Sequence, residues 1–456
     1  MLAGVGRAGA EILRPSDTAS LTRALRKAAA GDTIEIRPGT YALKRQWLRR
    51  NGTAAAPIMI TAAKRGSVTL QSHSVELLKI SGRYWVVDGI EFVGDANTFH
   101  AIHITGDADN VIIRNNRFRD FHAAIKANGE GTPAKFPDNV VIANNVFSNS
   151  GPRRTSAPVN TVNIDGGTGW RIVGNMITDF EKQGGNDVSY GAFLKGSAEN
   201  GLIARNLVIC EWRHRGGQRI GLSLGGGGFA KRTTPWETRA SRIVNNIVLN
   251  CPEGPAIYIN KGAESVVAFN TIYNAFGIDA RFPETSATVA NNVMTGSILD
   301  RDGATVAMAG NLAAGTALGY YLPSLKRSLV LRISDYDKKF PSLLDAGDIR
   351  WAQGVIRGAL DWLARGRLGM GLARLDDLFR APEVLDFSAP NGAELINASV
   401  PDARVQTDFC GQKRLPPADL GAIEYEAGGC AILEVLRSRY GPFLRPGGRA
   451  TLDPGS

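Results

Sequence analysis

VVIANNVF, residues 140–147, places a pair of asparagines between two short apolar runs. Seven further segments of the chain share this pattern, with an asparagine at the equivalent position. The eight segments are VIIRNNRF (111–118), VVIANNVF (140–147), WRIVGNMI (170–177), LIARNLVI (202–209), RIVNNIVL (242–249), VVAFNTIY (266–273), TVANNVMT (288–295) and VAMAGNLA (306–313). WVVDGIEF (85–92) extends the series upstream with Gly89 at the asparagine position.

Successive aligned asparagines are 29, 30, 31, 40, 24, 22 and 19 residues apart. Repeats of this length, with strand-like alternation and no helical pattern between them, are typical of a solenoid of short strands whose loops vary in length. Asparagines at equivalent positions can stack and hydrogen-bond along the axis, and they tolerate the left-handed backbone of a tight bend. The pattern therefore predicts an all-β, right-handed parallel β-helix over residues 32–315, in which the asparagines are structural.

The two ends of the chain have a different character. Residues 17–31 have helical periodicity with Leu21, Ala24, Leu25 and Ala28 on one face, which predicts a helix that covers the open first coil. We therefore expect an N-terminal segment with a capping helix (1–31), the β-helix (32–315) and a C-terminal extension (316–456) that packs on or beyond the last coils. Residues 349–366 have helical periodicity interrupted by glycines, and 401–425 return to short extended segments.

Composition limits the function and the compartment. The 456-residue chain has a formal net charge of +10, which suits an acidic partner such as a polyanionic sugar, nucleic acid or an anionic membrane. No nucleic-acid-binding motif occurs and no apolar run reaches membrane-spanning length. The N-terminus is too short and too weakly apolar for a signal peptide.

The four cysteines form no CxxC pair, which argues against a structural zinc site. If the protein is exported, the pairs Cys210–Cys251 and Cys410–Cys430 can form disulfides, and Cys210 and Cys251 are expected to lie close because they fall in adjacent coils. Buried free thiols are the alternative.

A strand pattern I-x-I-x-G recurs just ahead of several asparagine coils, and alternation places its x positions on the outside. One predicted outward row holds His103, Asn163, Phe193, Ser223 and Tyr258. The second row holds Thr105, Asp165, Lys195, Gly225 and Asn260, and Lys126 is expected to join it. Asp165 and Lys195 are then neighbours, and a surface ion pair without catalytic role is the simplest interpretation of them.

Five further stretches resemble exported right-handed β-helix proteins related to polysaccharide lyases of the chondroitinase B and alginate lyase type. They are ISGRYWVVDGIEF, the NNxF coils, LKGSAENGLIARN, GQRIGLSLGGGG and DFCGQKRLPPADLGAIEY. In the chondroitinase B group a lysine at one strand end and an arginine in the next coil are the catalytic pair, assisted by calcium. The resemblance thus implies a secreted or periplasmic enzyme that cleaves an anionic polysaccharide. Residues 186–194 carry only Asn186 and Asp187 where that group has two acidic ligands.

The chemistry that suits these residues is β-elimination on a uronic acid, which needs a base, a cation for the carboxylate and an acid for the leaving oxygen. We expect Lys195 to be the base and Arg219 to neutralise the carboxylate or donate the proton, with Tyr258 and His214 as alternative acids. Asp165 and Asp187 are the candidate calcium ligands. The candidate substrate-binding residues are Lys126, Asn163, Ser223, Trp236 and Lys261.

Three other functions remain open at this point. A glycoside hydrolase needs paired carboxylates flanking a cleft, and the outward rows offer Asp165 alone. A C5-epimerase shares the proton abstraction, but the DPHD stretch usual for such enzymes is absent. A non-catalytic carbohydrate-binding or surface protein is the alternative from a different class. For partners we expect an anionic polysaccharide, no nucleic acid and a monomer.

Overall fold

The computed structural model describes residues 9–72, 74–227, 234–251, 253–313, 378–382, 385–390, 392, 394–425 and 430–440. Its main body is a right-handed parallel β-helix of three long sheets, each of which receives one strand from successive coils. Every pairing between the strands of these sheets is parallel, for example Ile102 with Ile125 and Ile113 with Ile142. The predicted fold is therefore confirmed.

Along each coil the chain passes through sheet 1, sheet 2 and sheet 3 in that order. The twelve strands of sheet 1 are Ile12–Leu13, Thr33–Ile36, Ile58–Ala62, Trp85–Asp88, Ile112–Arg114, Val141–Ala143, Arg171–Val173, Leu202–Ala204, Arg242–Val244, Ser265–Ala268, Ser286–Ala290 and Thr305–Ala309. The eleven strands of sheet 2 are Gly39–Ala42, Val68–Gln71, Glu91–Val93, Arg117–Arg119, Val146–Ser148, Met176–Thr178, Leu207–Ile209, Ile247–Cys251, Thr271–Ala275, Val293–Met294 and Leu312–Ala313.

Sheet 3 has ten strands and carries the outward rows. Its strands are Gln46–Leu48, Glu76–Ile80, His100–Thr105, Ile125–Asn128, Val159–Asp165, Val188–Lys195, Gln218–Leu224, Ile257–Asn260, Gly277–Arg281 and Ser297–Arg301. Two small sheets lie at the turns, and their strands are Arg153–Arg154 with Lys182–Gln183, and Ala198–Glu199 with Thr238–Arg239 and Gly262–Ala263.

The N-terminal helix is Thr18–Lys27, and Asp17 caps it by accepting a hydrogen bond from the backbone N–H of Ser20. Leu21 and Leu25 are buried in the core of the first coils, as the apolar stripe predicts. The preceding strand Ile12–Leu13 pairs with Thr33–Ile36, so sheet 1 begins earlier in the chain than residue 32.

The asparagines form a ladder where sheet 1 turns into sheet 2. Asn145 Nδ2 donates to Asn175 Oδ1 at 3.0 Å, Asn175 Nδ2 donates to Asn206 Oδ1 at 3.0 Å, and the chain of bonds continues to Asn311. Because each amide also bonds the backbone of the coil before it, the buried polar groups are satisfied and the coils stay in register. The predicted structural role of these asparagines is confirmed.

The C-terminal residues pack against the outside of sheet 2. Phe379, Phe387, Phe409 and Leu420 share an apolar cluster with side chains of that sheet, and the helix Ile432–Tyr440 completes it. Residues 401–425 form turns with one isolated bridge, Thr407 to Lys413, instead of the expected extended segments.

Both predicted disulfides are present. Cys210 and Cys251 join adjacent coils with 5.0 Å between their Cα atoms, and Cys410 and Cys430 are bonded within the C-terminal segment. The predicted helix at 349–366 lies outside the described residues. Across the described ranges no helix is both long and apolar enough to span a membrane.

Candidate functional site

The strand register of sheet 3 aligns one outward side chain from each coil. In coil order these register partners are Trp47, Lys79, His103, Lys126, Asn163, Phe193, Ser223, Tyr258 and Asp279. The predicted row from His103 to Tyr258 is confirmed, and Asp165 lies opposite Lys195 in the next row. The placement of Lys126 in that second row is wrong. Ile125 and Ala127 point into the core, so Lys126 lies between His103 and Asn163.

Two neighbouring sets of hydrogen-bonded side chains, here together called the histidine cluster, lie around Lys126. It consists of Glu76, His103, Lys126, Asn128 and Asn163. His103 Nδ1 lies 2.6 Å from Glu76 Oε2 and His103 Nε2 lies 2.6 Å from Asn128 Oδ1, while Lys126 Nζ donates to Asn163 Oδ1 at 3.0 Å. Asn128 Nδ2 donates to the Gly129 carbonyl, which fixes the amide so that its oxygen faces the ring.

Both ring nitrogens of His103 therefore face an oxygen atom of a neighbouring side chain, which fixes the orientation of the ring. Hydrogen bonding from His103 lowers the pKa of Glu76, against the effect of burial. Arg45 Nη1 lies 3.1 Å from the second oxygen of Glu76, so each carboxylate oxygen has a side-chain partner.

The neighbouring His100 stays neutral. Its ring centroid lies 5.5 Å from that of His103, and its Nδ1 lies 3.0 Å from the carbonyl oxygen of Ala123. Burial lowers the pKa of His100 to about 4, and the charges of His103 and Lys126 act in the same direction.

Lys195 lies at the end of its strand, half-buried, with its Nζ 3.3 Å from the carbonyl oxygen of Gly227 and 5.2 Å from the ring centroid of Phe193. Glu237 accepts hydrogen bonds from the backbone N–H groups of Gly226 and Gly227 at 2.7 and 3.0 Å. Burial raises the pKa of Glu237, while the charges of Lys195 and Lys261 oppose this. Glu237 thus holds the two ends of the inter-coil loop together beside Lys195.

Arg219 lies at the other end of this face from Lys195, and the predicted pairing of the two residues is wrong. Its register partner is Ser189, six residues from Lys195 along the strand, or about 20 Å at the rise of a β-strand. Its side chain is 1% exposed, covered by the 210–217 loop, and bonded to Glu181 Oε2 at 3.0 Å and to the carbonyls of Gly216 and Cys210. A guanidinium enclosed in this way cannot reach a substrate.

Ser223 and Tyr258 are also enclosed. Ser223 is fully buried and its hydroxyl donates to the backbone carbonyls of Gly225 and Tyr258, so it is wrong as a substrate-binding residue. Tyr258 is 7% exposed and accepts a hydrogen bond from Asn260 Nδ2. Burial raises the pKa of Tyr258, which disfavours a role in proton exchange at neutral pH.

Three other candidates lie at the margins. Lys261 Nζ is paired with Glu284 Oε1 at 2.8 Å, and Trp236 is half-buried in the loop that leads to Glu237. His214 lies in the loop over Arg219, and its Nε2 is buried without a hydrogen-bond partner in the described structure. His214 is therefore at the opposite strand end from Lys195.

The predicted calcium ligands do not meet. Asp187 precedes strand Val188–Lys195, whereas Asp165 lies opposite the last residue of that strand, so about 20 Å or more separates them. Asp187 Oδ1 instead accepts a hydrogen bond from the Gly184 backbone within its own turn. The described residues contain no group of three or more His, Cys, Asp or Glu side chains able to hold a metal ion. The Asp165–Asp187 site is therefore wrong, and these residues do not fit calcium.

Sequence reasoning missed two carboxylates of the site. Glu76 lies 35 residues upstream of the first asparagine segment, 111–118, and contacts His103 only because sheet 3 brings strands Glu76–Ile80 and His100–Thr105 together. Glu237 follows the longest insertion, and no repeat pattern marks it. His103 belongs to the outward row predicted from the sequence, and a histidine at such a position is the signal that could have identified the cluster.

Comparison with known proteins places the fold. Residues 7–176 match a family model described as "Pel9A-like, right handed beta helix region". Pectate lyase Pel9A is 15% identical, with a TM-score of 0.51 over 92% of this chain and 97% of that one. An alginate lyase from Paenibacillus sp. is 17% identical, with a TM-score of 0.38 over 66% of this chain and 95% of that one.

A GH87 α-1,3-glucanase from Streptomyces thermodiastaticus is also similar, at 15% identity, with a TM-score of 0.44 over 70% of this chain and 71% of that one. No curated protein matches the sequence. The resemblance to right-handed β-helix proteins is thus confirmed, with a Pel9A-like region and polysaccharide lyases among the structural neighbours. At these identities the likeness shows the fold, and the activity has to be argued from the site.

Proposed function

We propose that the protein is a polysaccharide lyase that cleaves a uronic-acid-containing polysaccharide by β-elimination on the outer face of sheet 3. The observation that carries the proposal is that two half-buried lysines, Lys126 and Lys195, lie on either side of one strand of sheet 3. Lys126 is opposite Asn163 of that strand and Lys195 is opposite Asp165. The two Cα atoms are about 12 Å apart, from two strand spacings and two residues along the strand. Long side chains at that separation can converge on one sugar.

Lys126 is the better-placed base. Its Nζ lies 3.0 Å from the amide oxygen of Asn163, and Lys126 is the register neighbour of His103, so that a base and an acid would lie side by side on the same row. Lys195 lies two residues further along the sheet, opposite Asp165 and beside Glu237, and we assign to it the binding of the substrate carboxylate. The base role that the sequence suggested for Lys195 therefore passes to Lys126.

The proton balance closes with His103. Lys126 takes the proton alpha to the uronate carboxylate, a carbon–carbon double bond forms as the glycosidic C–O bond breaks, and His103 donates a proton to the leaving oxygen. Glu76 holds His103 through its Nδ1 and orients the ring for this transfer. Tyr258 and His214 are not needed for this step.

The partner and the compartment follow from the same proposal. The net charge of +10 and the cations of sheet 3 suit an anionic polysaccharide. Two disulfides suit an oxidising compartment, so we propose that the protein is secreted or periplasmic.

The test is the ultraviolet absorbance of unsaturated product after incubation with alginate, glucuronan, chondroitin or pectate. We expect one of these polymers to be cleaved, Lys126→Ala to lower kcat by about 10²–10⁴-fold, and Lys195→Ala to act more on KM. Lys64→Ala, an exposed lysine in a turn away from sheet 3, is the control and keeps full activity.

Three results would contradict the proposal. New reducing ends without unsaturated product would indicate a hydrolase. Uronates with inverted configuration at C5, without cleavage of the chain, would indicate an epimerase. Binding without any turnover would indicate a carbohydrate-binding protein. A fall of less than about tenfold in folded Lys126→Ala would remove Lys126 as the base.

A further inference from the structure

The residue before each ladder asparagine has a left-handed backbone. From residue 115 to residue 310 its φ angle lies between 54° and 68° in every coil. These residues are Asn115, Asn144, Gly174, Arg205, Asn245, Phe269, Asn291 and Gly310. Asparagine and glycine adopt this conformation easily, whereas other side chains do so at a cost. Arg205 and Phe269 are therefore exceptions that need a compensating contact.

The exception at Phe269 is accounted for by the C-terminal segment. Its ring is 1% exposed, packs with Val405, and lies 4.1 Å from the guanidinium carbon of Arg414. Apolar burial and a cation over the ring offset the strained backbone.

Arg205 gains no such contact, and its guanidinium points at the turn that contains Cys410. Its Nη1 lies 3.3 Å from the position that a Cβ on Gly411 would occupy. The side chain is half-buried, and it makes no hydrogen bond or ion pair with the described chain.

A second guanidinium reaches the same turn from the C-terminal helix. Arg439 Nη2 donates to the carbonyl oxygen of Phe409 at 3.1 Å. Arg439 Nη1 is buried without an acceptor, 3.7 Å from the position of a Cβ on Gly174. Gly174 and Arg205 are adjacent in neighbouring coils, because the Gly174 N–H donates to the carbonyl oxygen of Ala204. The two guanidinium groups therefore converge on residues 409–411.

Positive charges outnumber negative charges around Arg205. Arg171, an exposed residue one coil away, adds a third positive charge. Burial lowers the pKa of Arg205, and the charges of Arg439 and Arg171 lower it further, while Asp408 alone opposes them. Both oxygens of Asp408 are engaged, by the backbone N–H groups of Gln412 and Glu424.

We propose that Arg205, Arg439 and Arg171 form a binding site for a small inorganic oxyanion, phosphate or sulfate, at the joint between the solenoid and its C-terminal segment. Converging guanidinium groups supply several N–H donors in the geometry that such an anion accepts. Exposed Arg171 leaves a path from solvent. A bound anion would remove the repulsion between Arg205 and Arg439 and tie the C-terminal helix to sheet 1.

Titration calorimetry at low ionic strength, with sodium phosphate and sodium sulfate in separate runs, tests the site directly. We expect saturable binding of one ion, a dissociation constant at least tenfold weaker in Arg205→Gln, and a smaller weakening in Arg205→Lys, which keeps the charge but loses the planar fork. Arg154→Gln removes an exposed arginine far from the site and serves as the charge-matched control; its binding is expected to equal that of the unmodified protein.

Arg171→Gln keeps the inference testable if Arg205→Gln does not fold, because Arg171 is exposed and its removal leaves no cavity. It is expected to weaken binding severalfold. No saturable binding by the unmodified protein, or equal binding by all the variants, would overturn the site. Sulfate also stabilises proteins by exclusion from their surface, so a higher melting temperature alone counts against specificity if Arg205→Gln shows the same rise.

Discussion

His100 is the residue whose protonation is most clearly opposed by its surroundings. Its ring lies between the carbonyl of Ala123 and the cationic groups of the histidine cluster, and burial is the largest cause of its low pKa of about 4. In the unfolded chain a histidine has a pKa near 6.5. Below that pH the unfolded state binds a proton that the folded state refuses, so folding stability is lost as the pH falls from about 6.5 towards 4.

We predict that the free energy of unfolding, measured with urea, falls between pH 7 and pH 4.5 by up to about 3 kcal/mol more in the unmodified protein than in His100→Gln. The comparison between the two proteins matters because carboxyl groups of this fold titrate in the same window. Parallel pH profiles for the two proteins would show that His100 is accessible to protons in the folded state.

At the scale of the element, the 210–217 loop is held over sheet 3 by a buried ion pair. Arg219 extends from its strand into the carbonyl groups of this loop, and Glu181 from the adjacent coil completes the contact at 3.0 Å. The disulfide between Cys210 and Cys251 fixes the start of the loop. Arg219 is thus a structural residue in a part of the sheet that looked catalytic.

Arg219→Ala leaves the carboxylate of Glu181 buried without its partner, and we predict a loss of about 3–5 kcal/mol in unfolding free energy. Denaturant unfolding followed by circular dichroism measures it. The double variant Arg219→Met with Glu181→Leu removes both charges and is expected to recover most of that loss. A single variant with near-normal stability would mean that solvent reaches Arg219.

At the scale of the whole molecule, the C-terminal segment is a brace along the solenoid. It hydrogen-bonds three of the residues that precede a ladder asparagine. Val400 bonds Asn291, Thr407 and Arg414 bond Asn245, and Tyr440 bonds Gly174. The Cys410–Cys430 disulfide lies between these contacts and closes a loop of 20 residues within the brace.

We predict that the double variant Cys410→Ser with Cys430→Ser lowers the free energy of unfolding by about 2–4 kcal/mol, since a disulfide restricts the unfolded chain by an amount that grows with the logarithm of the loop length. Hydrogen exchange monitored by mass spectrometry should show faster exchange in residues 394–425 and 430–440, while residues 140–227 of the solenoid remain protected. Uniformly faster exchange across both regions would show that brace and solenoid unfold as one unit.

The repeat by itself determined the solenoid. Asn145, Asn175 and Asn206 recur at the spacing of one coil, and alternation along Ile102–Ile104 or Val162–Ile164 decides which side chains face the core, because both properties are local to the backbone. The helix at Thr18–Lys27, the closeness of Cys210 and Cys251 and the opposition of Asp165 and Lys195 followed from the same local rules.

Only the tertiary structure decided which outward residues are reachable and where along a strand they lie. Arg219 and Ser223 occupy outward positions, yet one is covered by a loop and the other by neighbouring coils, because burial depends on chain segments distant in sequence. Glu76 meets His103 across 27 residues of chain, and Arg205 and Arg439 approach the same turn at residues 409–411 although they are 234 residues apart; no periodicity encodes these contacts. The strand pattern repeats in every coil and can therefore be found in the sequence. The loops and the C-terminal segment do not repeat, and they determine which side chains of the site are exposed.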